Sequence, residues 1–178
     1  MRKVEIRSYS ESWIHMFMEE AKKLKLIFDD EIIAIYHIGS TSVPGLQAKP
    51  VIDILVVVKD IHNVDNYNIE MGNIGYIPKG ENGIVQRRYF QKGGDNRTHH
   101  VHIFQVGSWE ITRHLAFRDY LIGHPDEMKK YGTLKQNLAR QFPYNMNCYI
   151  EGKDTFVKNM ERKALEWYKE DSNDNYRC

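Results

Sequence analysis

Eight consecutive residues, Val51-Ile52-Asp53-Ile54-Leu55-Val56-Val57-Val58, are apolar except for one carboxylate. A run this short and this rich in β-branched side chains predicts a strand buried on both faces. It is far shorter than the roughly 20 residues that span a bilayer, so no membrane span is expected. An aspartate retained in such a strand needs a cation, hydrogen bonds or an exposed strand end, because an isolated buried carboxylate is very costly. A metal ion, Lys49 or a nearby arginine would each meet that need.

The residues before this run suggest what the aspartate faces. Ile32 to Ile38 is β-branched and aromatic enough for a strand and stops at Gly39-Ser40-Thr41-Ser42, where the chain can turn. Pro44 and Pro50 bar regular pairing in the connection that follows. Gly39-Ser40-Thr41 just beyond one strand, with Asp53 in the next, offers backbone N–H groups and hydroxyls to phosphate oxygens. The pattern is that of a phosphate site with a metal anchor.

Around this centre the sequence predicts one mixed α+β domain over residues 1–170 and a frayed polar tail over 171–178. Trp13, Phe17, Ala21, Leu24 and Phe28 recur every three or four residues, which predicts a helix from Ser10 to about Phe28. Ser10 is its expected N-cap, with Tyr9 stapled on Ile14. A weaker helical period covers Asp60 to Gly75. Gln86 to Lys92 and Thr98 to Val106 flank Gly93-Gly94-Asp95-Asn96-Arg97 and predict a hairpin, for a sheet of at least four strands. Three helices follow, over Trp109 to Ile122, Pro125 to Gln141 and Lys153 to Glu170. Their apolar positions, like Trp13, Phe17, Tyr131 and Trp167, are expected to be core.

Charge narrows the function. The 178 residues carry 25 basic and 24 acidic side chains. So balanced a chain lacks the field that gathers nucleic acid, and no nucleic-acid or membrane partner is expected. No export signal is visible, and two cysteines supply no disulfide framework, which suggests a cytoplasmic protein.

The run from His37 to Ile54 resembles the signature of the GrpB family, as do Thr98-His99-His100-Val101-His102, Phe117-Arg118-Asp119-Tyr120-Leu121, His124-Pro125, Tyr131 with Leu134-Lys135, and Lys153. The resemblance covers nearly the whole chain and implies a nucleotidyltransferase fold. It implies, too, a metal-dependent nucleotidyltransferase acting on a nucleotide or phosphorylated small molecule, with Ser40 and Asp53 catalytic. Leu55 stands where that superfamily places a second metal-binding carboxylate. GrpB-like domains also occur fused to dephospho-CoA kinase, so the alternative is a non-catalytic nucleotide- or phosphate-binding accessory domain.

Two sets of residues complete the expected site. His100 and His102 alternate onto one strand face and could join Asp53 around a divalent ion, with zinc or manganese suited better than magnesium. The bland alternative is a hydrogen-bonded histidine pair. Among Arg87, Arg88, Arg113 and Arg118, we expect Arg88 and Arg118 to join Gly39, Ser40, Thr41 and Lys49 as phosphate ligands. A weaker likeness to the alternating histidines of histidine-triad hydrolases fails at Phe104, where a third histidine would stand.

Overall fold

The computed structural model describes residues 3–174, with side chains to 170. Helix α1 (Ser12–Phe28) leads into β1 (Ile32–Ile38), and a single 3₁₀ turn over Ser40–Ser42 precedes β2 (Ile52–Val58). A longer 3₁₀ segment, Ile61–Tyr67, and the short α2 (Asn68–Asn73) lead to β3 (Tyr76–Pro78), β4 (Arg88–Lys92) and β5 (His99–Gln105). Helices α3 (Trp109–Gly123), α4 (Pro125–Gln141) and α5 (Met146–Asp174) complete the chain. The fold is α+β, with a five-stranded mixed sheet in the order β1-β2-β5-β4-β3.

Strand β2 is central, as its apolar run requires. It pairs antiparallel with β1 and parallel with β5, and β5 pairs antiparallel with β4. Its register sets Ile38 and His100 on either side of Asp53. Alternation then divides the sheet. One face carries Ile52, Ile54, Val56, Val101, Ile103 and Phe90, packed under Trp13, Leu24 and Phe28 of α1. On the other, Ile38, Leu55 and Phe104 meet Ile111 and Leu115 of α3. Helices α3, α4 and α5 form a further cluster of Ala116, Tyr120, Tyr131, Met160 and Ala164, into which Val43 and Leu46 of the β1–β2 connection insert.

Several local expectations need correction. Helix α1 opens with a turn in which Ser10 Oγ accepts from the Ser12 amide at 3.3 Å, and Tyr9 packs edge-on against Trp13 rather than Ile14, which is exposed. Asparagines in the Asp60–Gly75 segment compete with the helix backbone, and only Asn68–Asn73 is α-helical. Gln86 has a φ of 60° and lies before β4, not in it. The three-residue edge strand β3, stopped by Pro78, was too short to show a period. Helix α5 starts two turns before Lys153, at Met146, and its continuation to Asp174 makes the first residues of the expected tail helical; the rest of that tail lies outside the described residues.

One buried charge ties the α1 layer to the sheet. Glu20 is 3 % exposed and accepts from Tyr76 Oη at 2.9 Å, from Lys92 Nζ at 3.0 Å and from Lys23 Nζ at 2.6 Å. Burial alone would raise its carboxyl, but these hydrogen bonds outweigh it and hold the group below its ordinary value. Removing one member of a buried charged network strands the others, at about 3 kcal/mol. Glu20→Ala should therefore lower the unfolding free energy measured in urea by that amount. The wild-type protein should lose stability as pH falls through the depressed carboxyl range.

Candidate functional site

Three strand ends place the site. The C-terminal end of β1 meets the N-terminal ends of β2 and β5, and the Gly39 turn closes over the junction. Asp53 Oδ1 lies 3.1 Å from His100 Nδ1 and 3.2 Å from His102 Nε2, so two imidazoles converge on one carboxylate oxygen. The Asp53 side chain remains 27 % exposed. Burial pushes its carboxyl up, and the two histidine hydrogen bonds more than reverse that, holding it well below the usual carboxylate range.

Gly39 is there because nothing larger fits. It has a φ of +70°, and a Cβ at this position would stand 2.7 Å from Asp53 Oδ2. The turn thus presses backbone against the aspartate oxygen that the histidines leave free.

The hydroxyls of the turn divide their work. Thr41 is 1 % exposed; its Oγ1 donates to the Val51 carbonyl at 3.3 Å and lies 3.0 Å from His37 Nε2. That hydroxyl is committed to the frame. Ser42 Oγ donates to the Gly39 carbonyl at 2.6 Å. Ser40 faces Tyr131, whose phenol burial pushes up to about 12 against the opposing hydrogen bond from Ser40.

Beside Asp53 opens a cavity of about 220 Å³ lined by Ser40, Lys49, His100, Lys135, Tyr149 and Lys153, among others. Lys49 was expected here. Lys135 and Lys153 come from α4 and α5 and were quoted in the sequence only as points of resemblance. Tyr149 is 1 % exposed and lies between two ammonium groups, with Lys49 Nζ 5.3 Å and Lys153 Nζ 5.6 Å from its ring centroid. Cation–π attraction holds both lysines at the wall. Lys135 is 2 % exposed, and its Nζ has no hydrogen-bond partner; its nearest support is the Tyr131 ring at 4.4 Å. Burial first, and then Lys153 and Lys49, bring its pKa down to about 7.

The arginines sort differently from expectation. Arg88 pairs across the sheet with Ile103, on the face opposite Asp53, and is clamped by Asp65 at 2.7 and 2.9 Å, which removes it from the site. Arg118 donates to the His37 carbonyl at 3.1 Å and to Asp119 at 2.7 Å, so it braces the end of β1. Arg87 and Arg113 lie on the Asp53 side instead. Arg87 donates to the carbonyls of Glu81 and Asn82, and its Nη1 comes within 3.5 Å of His102 Nδ1. Arg113 lines a second cavity with Asp53, His102 and Glu161.

Donor geometry permits a metal. One ligand atom from each of Asp53, His100 and His102 lies within 4.8 Å of the others. Tetrahedral zinc, with bonds of about 2.0–2.2 Å, sets its ligand atoms roughly 3.3 Å apart, close to the two Asp53–histidine separations. His102 could ligate through Nε2 only with its proton on Nδ1, the nitrogen that faces Arg87. A bound ion therefore requires that guanidinium to turn away.

A mixed α+β domain with a carboxylate and two imidazoles beside a lysine-lined chamber is the class of protein defined so far. Residues 3–163 match the family described as GrpB protein, and the chain belongs to that family. It is 53 % identical over 174 residues, 98 % of its length, to UPF0157 protein YqkA of Bacillus subtilis, of which it spans 51 %. The crystal structure of conserved protein GrpB from Enterococcus faecalis superimposes with a TM-score of 0.89 at 47 % identity, covering 92 % of this chain and 99 % of that one. A more distant similarity, 24 % identity over 87 % of this chain and 45 % of the other, is to a dephospho-CoA kinase of Mycobacterium leprae.

Two consequences can be measured. Gly39→Ala forces a positive φ on a β-carbon that collides with Asp53 Oδ2, and should cost roughly 1–3 kcal/mol in chemical denaturation while displacing the aspartate. Lys135 titrates at about 7 in the folded protein and at about 10.4 when unfolded. The unfolded chain thus binds the extra proton between these values, so stability should rise with pH from about 7 towards 10. Lys135→Met should flatten that rise and stabilise the protein by roughly 2–5 kcal/mol at pH 6.

Proposed function

We propose that this chain binds the phosphate groups of a nucleotide, or of another phosphorylated small molecule, in the lysine chamber and transfers a nucleotidyl group beside Asp53. The observation that carries the reading is Lys135. A buried ammonium without a hydrogen-bond partner, repelled by two further lysines, lowers the stability of the fold. It is explained by a polyanion that supplies the missing acceptors. Ser40 and the Gly39 turn provide polar groups at one wall, and Lys49, Lys135 and Lys153 neutralise charge from the other three sides.

Asp53, His100 and His102 would hold a divalent ion, zinc by their donor type, which when bound would neutralise charge on the transferring group. The rest falls to the chain. Asp53, fixed by two imidazoles and crowded by Gly39, keeps one orientation; the lysines bind and orient the phosphates; Tyr149 keeps two of those lysines in place. We assign the protein a cytoplasmic setting on its sparse cysteine usage. No helix among the described residues is long and apolar enough to cross a membrane.

A second reading has its own observation. Leu55, at the place of the superfamily's second carboxylate, is fully buried against Ile38 and Phe104. A domain that binds the same ligand without turning it over is compatible with that loss.

Two measurements separate these readings. Inorganic triphosphate should raise the melting temperature of the wild-type protein, and Lys135→Met and Lys153→Met should each weaken its binding about tenfold. An unchanged melting temperature would dismiss both readings. Label transfer from α-labelled nucleotides that is abolished in Asp53→Asn supports the enzyme, whereas triphosphate binding with no transfer leaves the accessory domain.

A further inference from the structure

Asp53 is shared by two cavities of opposite character, and only the lysine chamber has been given a ligand. The second, of about 200 Å³, lies between the end of β1 and helices α3 and α5. This is below the usual range of ligand pockets, roughly 300–1,000 Å³, so it suits a small molecule or the terminal group of a larger one. Ile38 and Phe117 give it apolar walls.

Its polar lining does not welcome an anion. Arg113 would be a phosphate ligand were it free, but it donates to Glu110 Oε2 at 2.8 Å and to Glu161 Oε1. Two carboxylates thus hold the one guanidinium, and Asp53 and Glu161 are the carboxylates that line the cavity. The lysine chamber has the reverse balance, with three ammonium groups and the same single aspartate.

His114 fixes the hydrogen-bond polarity. Its Nδ1 lies 2.7 Å from the Glu110 carbonyl oxygen, which can only accept, so Nδ1 carries the proton. With the proton on Nδ1, the ring offers Nε2 as its acceptor atom, which has no hydrogen-bond partner among the described residues. In sequence this residue reads as one polar position in a helix, and only the packing of α3 against β5 brings it to the cavity.

We propose that this second cavity is the acceptor subsite of the transfer reaction and takes a small amino alcohol, its ammonium facing Glu161 and its hydroxyl donating to His114 Nε2. The assignment of the acceptor role rests on the nucleotidyl-transfer reading above. In the step it serves, the acceptor oxygen bonds to the α-phosphorus of a nucleoside triphosphate. The bond from that phosphorus to the bridging oxygen breaks, and pyrophosphate leaves with the electron pair into the lysine chamber. The hydroxyl proton is released to water, and the hydrogen bond to His114 Nε2 orients the hydroxyl. Placing the two substrates in oppositely charged cavities on either side of one aspartate keeps each out of the other's place.

Three small probes of matched size test this: ethanolamine, 1-propanol and glycolate, titrated into the full chain with detection of the histidine side-chain nitrogens by NMR. Inorganic triphosphate is titrated in parallel. Ethanolamine should move the His114 Nε2 resonance, propanol should do so more weakly, and glycolate should not. Glu161→Gln should weaken ethanolamine about tenfold or more, as loss of a charge-assisted hydrogen bond does, and should leave triphosphate binding unchanged. Glycolate binding as well as ethanolamine, or no probe reaching His114, would overturn the proposal. If ethanolamine binds but triphosphate does not, the acceptor role falls with the nucleotide reading, and the amino-alcohol site stands.

Discussion

Everything at this site is built around one oxygen atom. Asp53 Oδ1 receives both His100 and His102, and the strands that deliver those three residues are the parallel pair at the middle of the sheet. A parallel pair needs a long crossover, and here the crossover runs through the 3₁₀ segment, β3 and β4 before returning. The contact that stabilises the carboxylate is therefore non-local, and it exists only once the sheet has closed. That dependence explains why the aspartate can be tolerated in the most apolar strand of the chain.

The same centre sets the electrostatics of its surroundings. Lysines from three different parts of the chain meet on one side, Lys49 from the β1–β2 connection, Lys135 from α4 and Lys153 from α5. Burial first, and then the like charges gathered in a partly closed space, lower the pKa of Lys135 and weaken the fold. The other buried charges are partnered: Glu20 has a full set of donors, and Arg87 donates to the carbonyls of Glu81 and Asn82. Glu20 and Lys135 are both almost fully enclosed and differ in whether hydrogen-bond partners are present, which is why the second alone is proposed as a binding group.

Sequence reading succeeded where the signal was local. The apolar run of β2, the Gly39 turn, the proline at the start of α4 and the alternation that puts His100 and His102 on one face all follow from neighbours a few residues apart. It failed where the answer depended on which face of an element another element covers. Arg88 and Arg87 are adjacent in sequence, yet one falls beside Asp65 and the other beside His102, because the register of β4 against β5 decides it. Tyr131 and Lys135 stand one helical turn apart on α4, and helical spacing marked Tyr131 as core. It is core, at 4 % exposure, and it also forms the wall against which the unpaired ammonium rests. Tyr149 carried no signal at all, since it lies in the two turns of α5 that the apolar period did not reach.

Leu55 bears on what kind of chemistry such a site can support. It shares the face of Asp53 and packs at 0 % exposure between Ile38 and Phe104, so a carboxylate there would enter an apolar cluster and be strongly disfavoured. A leucine at this position is therefore fixed by the packing of α3 on the sheet. Without a second carboxylate, the charge of two hard divalent ions would lack the oxygen ligands they require. The chain supplies positive charge from side chains instead, as ammonium groups fixed by tyrosine rings. On the proposed reading, a polyanion is held mainly by protein cations, and Asp53 with its two imidazoles serves at most one ion. On that reading the site favours nitrogen-binding metals over magnesium, and phosphate binding would follow the protonation of the lysines.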